Sequence, residues 1–197
     1  MLSNRQNQII EESINIIHNQ GIQGFTIKNL SNALNLSEAA IYRHFKSKTE
    51  ILCALLDNFI EILSDFIKST LENEFSSLEK IKSIFEKLSL TFNNKPAYVS
   101  VIFAEEIFKN DKSLSAKVNK ILKKNNDAFN LIIESGQKNN EITRRVESQE
   151  LTLMTMGAFR LMVKNWKMTD FSFDLKKSSE KLYLSIDTLI KKNKNQL

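Results

Sequence analysis

The chain has 197 residues, 42% of them hydrophobic, enough for a buried core in one or two domains, while one Pro and four Gly leave little material for tight β-turns. A formal charge of +5 is mild, so it argues only weakly for a polyanionic partner and its distribution matters more than its sum. The single Cys53 excludes an internal disulfide, no run of 18 apolar residues is present to span a bilayer, and Met1 to Gln6 lacks the apolar stretch of a signal peptide, so the chain reads as an all-α, soluble, cytoplasmic protein without a membrane partner.

A first helix is expected from Ser3, where Gln6 completes a capping box, to Gln20, with Gly21 just past its end. Ile10, Ile14 and Ile17, flanked by Ile9, Ser13 and Ile16, form an apolar stripe at helical spacing. Its task is to roof the next stretch, because helices under about 12 residues are marginal without tertiary packing.

Residues 25–50 carry three helix starts in close succession. Thr26, Ser37 and Ser47 are hydroxyl residues able to accept from the free amides of a following turn. Phe25 with Leu30, and Leu36 with Ile41, make hydrophobic staples around the first two, and Glu50 gives Ser47 a capping box. Leu34-Asn35-Leu36 closes the first short helix, with Asn where the turn wants left-handed backbone. A short helix, a tight turn and a second short helix is the helix-turn-helix geometry, whose second helix enters a DNA major groove.

The Ser47 helix continues through Ile51, Leu55, Phe59, Ile62, Phe66 and Ile67 to roughly Thr70, long enough to carry rotation from its far end to the short helices. The next begins near Ser77 on its hydroxyl alone, since Lys80 stands where a capping box needs an acid or amide, and turns Leu78, Ile81, Ile84, Phe85, Leu88 and Phe92 inward. Pro96 starts another, with Val99, Ile102, Phe103, Ile107 and Phe108 on its apolar side. From about Ser113 to Lys138, the buried face is Val118, Ile121, Leu122, Phe129, Ile132 and Ile133, while Lys117, Lys120 and Lys124 share a face that is either solvated or a second nucleic-acid surface.

The helix from about Glu147 to Lys167 is apolar nearly all round, with Leu151, Leu153, Met154, Met156, Ala158, Phe159, Leu161, Met162, Val163 and Trp166. That pattern predicts burial on all sides, and Gly157 at its middle suits the close approach of another helix. The last helix, Asp174 to about Lys192, places Leu175, Leu182, Tyr183, Ile186, Leu189 and Ile190 on one side, and Lys191, Lys192 and Lys194 suit its C-terminus.

The run Thr26 to Ser37, followed by Ile41-Tyr42-Arg43-His44-Phe45-Lys46-Ser47-Lys48-Thr49-Glu50-Ile51-Leu52, resembles the N-terminal domain of the TetR/AcrR family of bacterial transcriptional regulators over residues 5 to about 55. Tyr42, Phe45 and the Ser47-Lys48-Thr49-Glu50 junction fall at the family's spacing; Asn35 and Ala39 stand where the family often has Gly, and Gly or Pro. The resemblance implies a DNA-binding domain over residues 1–47 and an effector-binding and dimerisation domain over 48–197, about nine helices in all. It implies a recognition helix of Ser37, Glu38, Ala39, Ala40, Tyr42, Arg43 and His44.

Chemistry agrees in outline. Tyr42, Lys48, Thr26 and Lys28 can hold phosphate oxygens, which sets register without reading sequence. Arg43 suits guanine, Glu38 the amino group of cytosine, and Ala39 or Ala40 a thymine methyl. Glu38 equally favours the helix dipole, and His44 equally packs beside Phe45. From residue 25 to 48, Lys28, Arg43, Lys46 and Lys48 stand against Glu38 alone.

Beyond about residue 56 the resemblance lies only in helical rhythm, and implies a small-molecule pocket and a homodimer made by the last two helices. Thirteen Phe and five Met can line an apolar cavity, with Phe59, Phe66, Phe85, Phe92, Phe103, Met154, Phe159, Met162 and Trp166 as candidates; a plain packed core is the other reading of each. Glu105 and Glu106 either meet a cationic ligand or face water. His18, His44 and Cys53 offer no metal-ligand spacing, no nucleophilic triad assembles, and no glycine-rich phosphate loop is present, so neither enzyme, metal nor cofactor is expected. The sequence therefore points to a regulator that binds double-stranded DNA as a homodimer and is released by a small, largely apolar effector, or to a DNA-bound adaptor of the same fold with a protein partner.

Overall fold

The computed structural model describes residues 2–104 and 111–192. Among the described residues every regular element is helical: α1 (Asn4–Gly24), α2 (Ile27–Ala33), α3 (Glu38–Tyr42), α4 (Lys48–Glu72), α5 (Ser77–Asn94), α6 (Ala97–Ile102), α7 (Lys112–Lys138), α8 (Ser148–Met168) and α9 (Leu175–Ile190). Two compact units emerge, Met1–Ile62 with Asn94–Lys120, and Leu63–Asn93 with Ile121–Leu197, and α4 and α7 contribute residues to both. Glu105, Glu106, Ile107, Phe108 and Lys194 lie outside the described residues.

In the first unit, Ser3 closes a reciprocal capping box: its hydroxyl accepts from Gln6 N at 3.2 Å and its amide donates to Gln6 Oε1 at 2.9 Å. At Gly21, φ of +69° breaks the regular helix where the sequence expects it to end, and a last turn follows to Gly24. Ile9, Ile10, Ile14, Ile16 and Ile17 are buried, and α1 packs on α2 and α6. Phe25, Leu30, Ile41, Phe45, Ile51 and Leu55 fill the same core.

In the second unit, Phe85 meets Phe159 and Phe129 at ring-centroid distances of 4.6 and 5.9 Å, and all three are buried. Gly136 lies inside α7, where a Cβ would stand 2.6 Å from Ile142 and 2.8 Å from Ser77, so only glycine admits this approach. Asn140 takes φ of +60° just beyond the helix, and Glu141 turns back to accept from Ser77 N at 2.6 Å. Ile142 and Lys191 form an isolated antiparallel bridge, which ties the α7–α8 connection to the end of α9.

Three expectations are corrected. The cap of α5 is Ser76 rather than Ser77: its hydroxyl accepts from Glu79 N, and Glu79 accepts in return from Ser76 N, a full capping box one residue earlier. The helix expected to be buried on all sides, α8, buries one side only, with Leu151, Thr155, Phe159, Val163 and Trp166 inward. Its other side leaves Leu153 71%, Met154 63%, Leu161 59% and Met168 72% exposed, and nothing lies within 4 Å of a Cβ at Gly157. Leu189, expected on the inner side of α9, is 76% exposed, because the helix spends its inward positions on Tyr183, Ile186 and Ile190.

Candidate DNA-binding site

The candidate site is built by caps. Thr26 Oγ1 accepts from Asn29 N and Ser37 Oγ from Ala40 N, both at 3.1 Å, so each short helix has a free amide satisfied before it is two turns long. Between them, Asn35 takes φ of +53° and Leu36 N donates to Ser31 O at 2.8 Å, closing the α2 end in the left-handed turn that Asn tolerates. After α3 the turn continues, with Phe45 N donating to Ile41 O at 3.1 Å. Ser47 accepts from Glu50 N at 3.1 Å, but the Glu50 carboxylate takes Lys46 N rather than Ser47 N, so the expected box closes one residue early.

Burial sorts the proposed reading residues. Ile41 and Phe45 are core, and Ala40, only 9% exposed, turns inward with them, which leaves Ala39 as the alanine open to a base methyl. Glu38, Ala39, Tyr42 and Arg43 are exposed, and since Glu38 with Tyr42 and Ala39 with Arg43 are four apart, they form one continuous outward face. Tyr42 is 48% exposed, an unusual setting for a large aromatic ring. Thr26, Lys28 and Ser37 are also exposed.

His44 is half-buried, and its carbonyl accepts from Gln6 Nε2 at 3.2 Å, a link from the start of α1 to the end of the reading turn that the sequence did not reveal. Lys48 is half-buried with its ammonium 5.3 Å from the centre of the Phe25 ring, and burial pulls its pKa below the ordinary lysine value. It is thus held beside the site by an aromatic face rather than by a carboxylate. Just beyond, Thr49 Oγ1 donates to Asp111 Oδ2 at 2.8 Å, and Asp111 Oδ1 accepts from Ser113 N and Leu114 N at the start of α7. The two amides and the Thr49 hydroxyl hold the Asp111 carboxyl below the usual range. Lys117 pairs with Asp57 on the same two helices, and Lys124 donates to Ser64 Oγ.

An exposed reading face on a capped short helix, preceded by a second short helix and a left-handed Asn turn, is a helix-turn-helix. Residues 9–55 match the bacterial regulatory proteins of the tetR family, and residues 55–189, more than half the chain, match the YsiA-like protein, C-terminal region. The chain belongs to the TetR family. It is a DNA-binding transcriptional regulator, and this family and fold are those of regulators rather than enzymes.

Among its relatives, nucleoid occlusion factor SlmA from Vibrio vulnificus (strain YJ016) is 21% identical over 190 residues, covering 96% of this chain and 97% of that protein. The fatty acid degradation regulator FadR from Bacillus halodurans shares the fold with a TM-score of 0.81 at 19% identity, over 95% of this chain and 96% of that one. FadR from Bacillus subtilis, solved in complex with stearoyl-CoA, gives 0.76 at 20% identity over 92% and 97%.

The nine residues expected to line an effector pocket are divided between the two units of this TetR-family chain. Phe59 and Phe103 belong to the first unit, where Phe59 lies 5.0 Å from the ring of Tyr98. Phe85, Phe92 and Phe159 are buried in the second. Phe66 lies half-buried under the Lys87 ammonium, Met162 is half-buried, and Met154 faces outward. Trp166 is buried for a local reason: its indole N–H donates to Phe173 O at 2.9 Å and its ring meets Phe171 edge-on, which fixes the α8–α9 turn. Tyr98, which sequence reasoning passed over, is fully buried with no partner for its hydroxyl, and burial raises its pKa.

Among the described residues, no group of His, Cys, Asp and Glu gathers to hold a metal, and no helix is long and apolar enough to cross a membrane. Cys53 is a half-buried free thiol whose pKa burial raises, consistent with packing rather than reactivity.

Proposed function

We propose that the chain is a ligand-responsive repressor that reads a palindromic operator as a homodimer, with residues 1–47 as the reading domain and 48–197 as the effector and dimer domain. The observation that carries this is the pairing of two exposed faces of opposite character. The α2–α3 face presents Tyr42, Arg43, Lys28 and Thr26, suited to phosphates and bases. The outer side of α8 presents Leu153, Met154, Leu161 and Met168, with Leu184 exposed on α9, suited to a second copy.

In this reading Tyr42, Thr26, Lys28 and Lys48 hold phosphates, Ser37 keeps the recognition helix in place, and Arg43, Glu38, Ala39 and His44 face base edges. Two such helices about 34 Å apart meet successive major grooves. The effector is small and largely apolar; a stearoyl-CoA complex of a similar fold makes acyl thioesters the first class to assay. Its binding favours a conformation in which the two recognition helices no longer match the operator. Support for such coupling is that α4, which follows the recognition helix directly, is tied within the first unit to Asp111 and α7 by Thr49–Asp111 and Asp57–Lys117.

The adaptor reading keeps the same DNA face but gives the second unit a protein partner, and the likeness to a nucleoid occlusion factor over 96% of the chain favours retaining it. Selection of duplexes from a random library, followed by binding of the winner across salt and with stearoyl-CoA added, separates them. A repressor enriches a palindrome, binds it with strong salt dependence and loses affinity with ligand; an adaptor keeps its affinity. No enriched palindrome would sink both.

A further inference from the structure

The second unit carries a concave, strongly basic feature that DNA reading leaves unused. The α7–α8 connection and the last turn of α9 frame an open pocket of about 500 Å³ lined by Arg144, Arg145, Lys191 and Lys192, with no Asp or Glu among the described residues that line it. Its walls are fixed by backbone. Thr143 N donates to Ile190 O at 2.7 Å and Lys192 N to Glu141 O at 2.9 Å, on either side of the Ile142–Lys191 bridge.

Cations near a helix C-terminus are favourable in themselves, and part of this cluster has that use. Arg144 donates from Nε to Gln137 O at 2.7 Å and from Nη2 to Lys138 O at 3.1 Å, which closes α7. These bonds leave the Nη1 donors of its fork and hold the guanidinium in place. Lys192 Nζ reaches Asn140 Oδ1 at 3.0 Å, using one of three donors. Lys191 stands 4.0 Å from Asp187, itself the acceptor from Tyr183 Oη, too far for a hydrogen bond. Arg144, Lys191 and Lys192 alone bring three positive charges to one concavity, more than the one at each helix end that a dipole explanation needs.

We propose that this pocket binds a small phosphorylated molecule. Fixed walls and a guanidinium anchored by two carbonyls give preorganised donors of the kind that recognise phosphate. The volume lies in the range of small-molecule sites, and concavity favours a compact anion over the backbone of a duplex. Val146 and Leu189 add an apolar wall beside the cations, which fits a phosphate carried on an organic body rather than a bare ion. This holds whether or not the effector is an acyl thioester.

The test uses the full chain, with pyrophosphate and adenosine 3′,5′-bisphosphate as probes in titration calorimetry and amide chemical-shift mapping. Saturable binding is expected, with shifts at Thr143, Arg145, Thr188 and Lys192, and tighter for the nucleotide. Lys191→Gln with Lys192→Gln weakens it about a hundredfold, roughly tenfold for each lost charged hydrogen bond, with the thermal midpoint nearly unchanged. Lys120→Gln with Lys176→Gln, removing as much charge elsewhere, leaves it intact. No saturable binding to about 10 mM, or equal loss in both double variants, overturns the proposal. Loss of affinity for unrelated duplex DNA in the pocket variant, without small-anion binding, overturns it in favour of a nucleic-acid surface.

Discussion

Residues 25–50 hold three helix starts, each closed by a hydroxyl of the same segment, whereas α8 runs 21 residues from Ser148 and follows Glu147, whose side chain makes no cap bond. The short helices α2 and α3 cannot stand on length, so local hydrogen bonds and a few buried anchors define them. Their outward face is small and polar, with Glu38, Ala39, Tyr42 and Arg43. The long helix needs no cap to persist, and its outward face is apolar. The difference bears on where the proposed function puts each partner: polar donors on one face would suit phosphate and base edges, and hydrocarbon on the other would suit another apolar surface.

The largest effect is expected from breaking the apolar side of that comparison. Leu161→Arg places a charge in the exposed stripe, and in a symmetric dimer the change counts twice. Sedimentation is expected to show a monomer, with operator affinity down at least about a hundredfold because the second half-site no longer adds avidity. A variant that stays dimeric would move the interface elsewhere. On the polar side, Arg43→Ala is expected to cost about 1–3 kcal/mol on the selected operator and to relax preference at one base position, whereas Lys28→Ala weakens all duplexes alike and lowers the salt slope by about 1. Competition assays at several salt concentrations read both, and a sequence-independent loss with Arg43→Ala would demote it to a phosphate contact.

How much of this was legible follows the same division. The caps at Ser3, Thr26 and Ser37 and the left-handed Asn35 stand where the sequence puts them, because each depends on neighbours within a few residues. The exposure of Glu38, Ala39, Tyr42 and Arg43 on one side of α3 follows from helical spacing, whereas the inward turn of Ala40 depends on how α3 sits on its neighbours. At Ser76 and Ser77, two adjacent hydroxyls left the register open until Glu79 chose between them. For α8, an apolar residue on every side cannot say which side the chain covers and which it leaves for a partner, so Met154 was assigned inward and lies outward. The Thr49–Asp111 tie and the basic pocket join residues far apart in the chain, and no local pattern announces either.

The smallest effects test whether capping chemistry is what distinguishes the two regions. Ser37→Ala removes the acceptor for Ala40 N and is expected to lower stability by about 1 kcal/mol, read by thermal unfolding without DNA. Ser37→Asp keeps an acceptor and most of that stability while adding negative charge to the DNA face, so it is expected to weaken operator binding although the fold is retained. At Glu147 the backbone already has the extended geometry of a cap, with φ of −65° and ψ of 155°, yet its side chain makes no cap bond. Glu147→Asp shortens the side chain to a length that reaches the first-turn amides, and a gain of about 0.5 kcal/mol is expected. A loss there would mean that α8 already has those amides satisfied, and that its start is held by packing in a way the start of α3 is not.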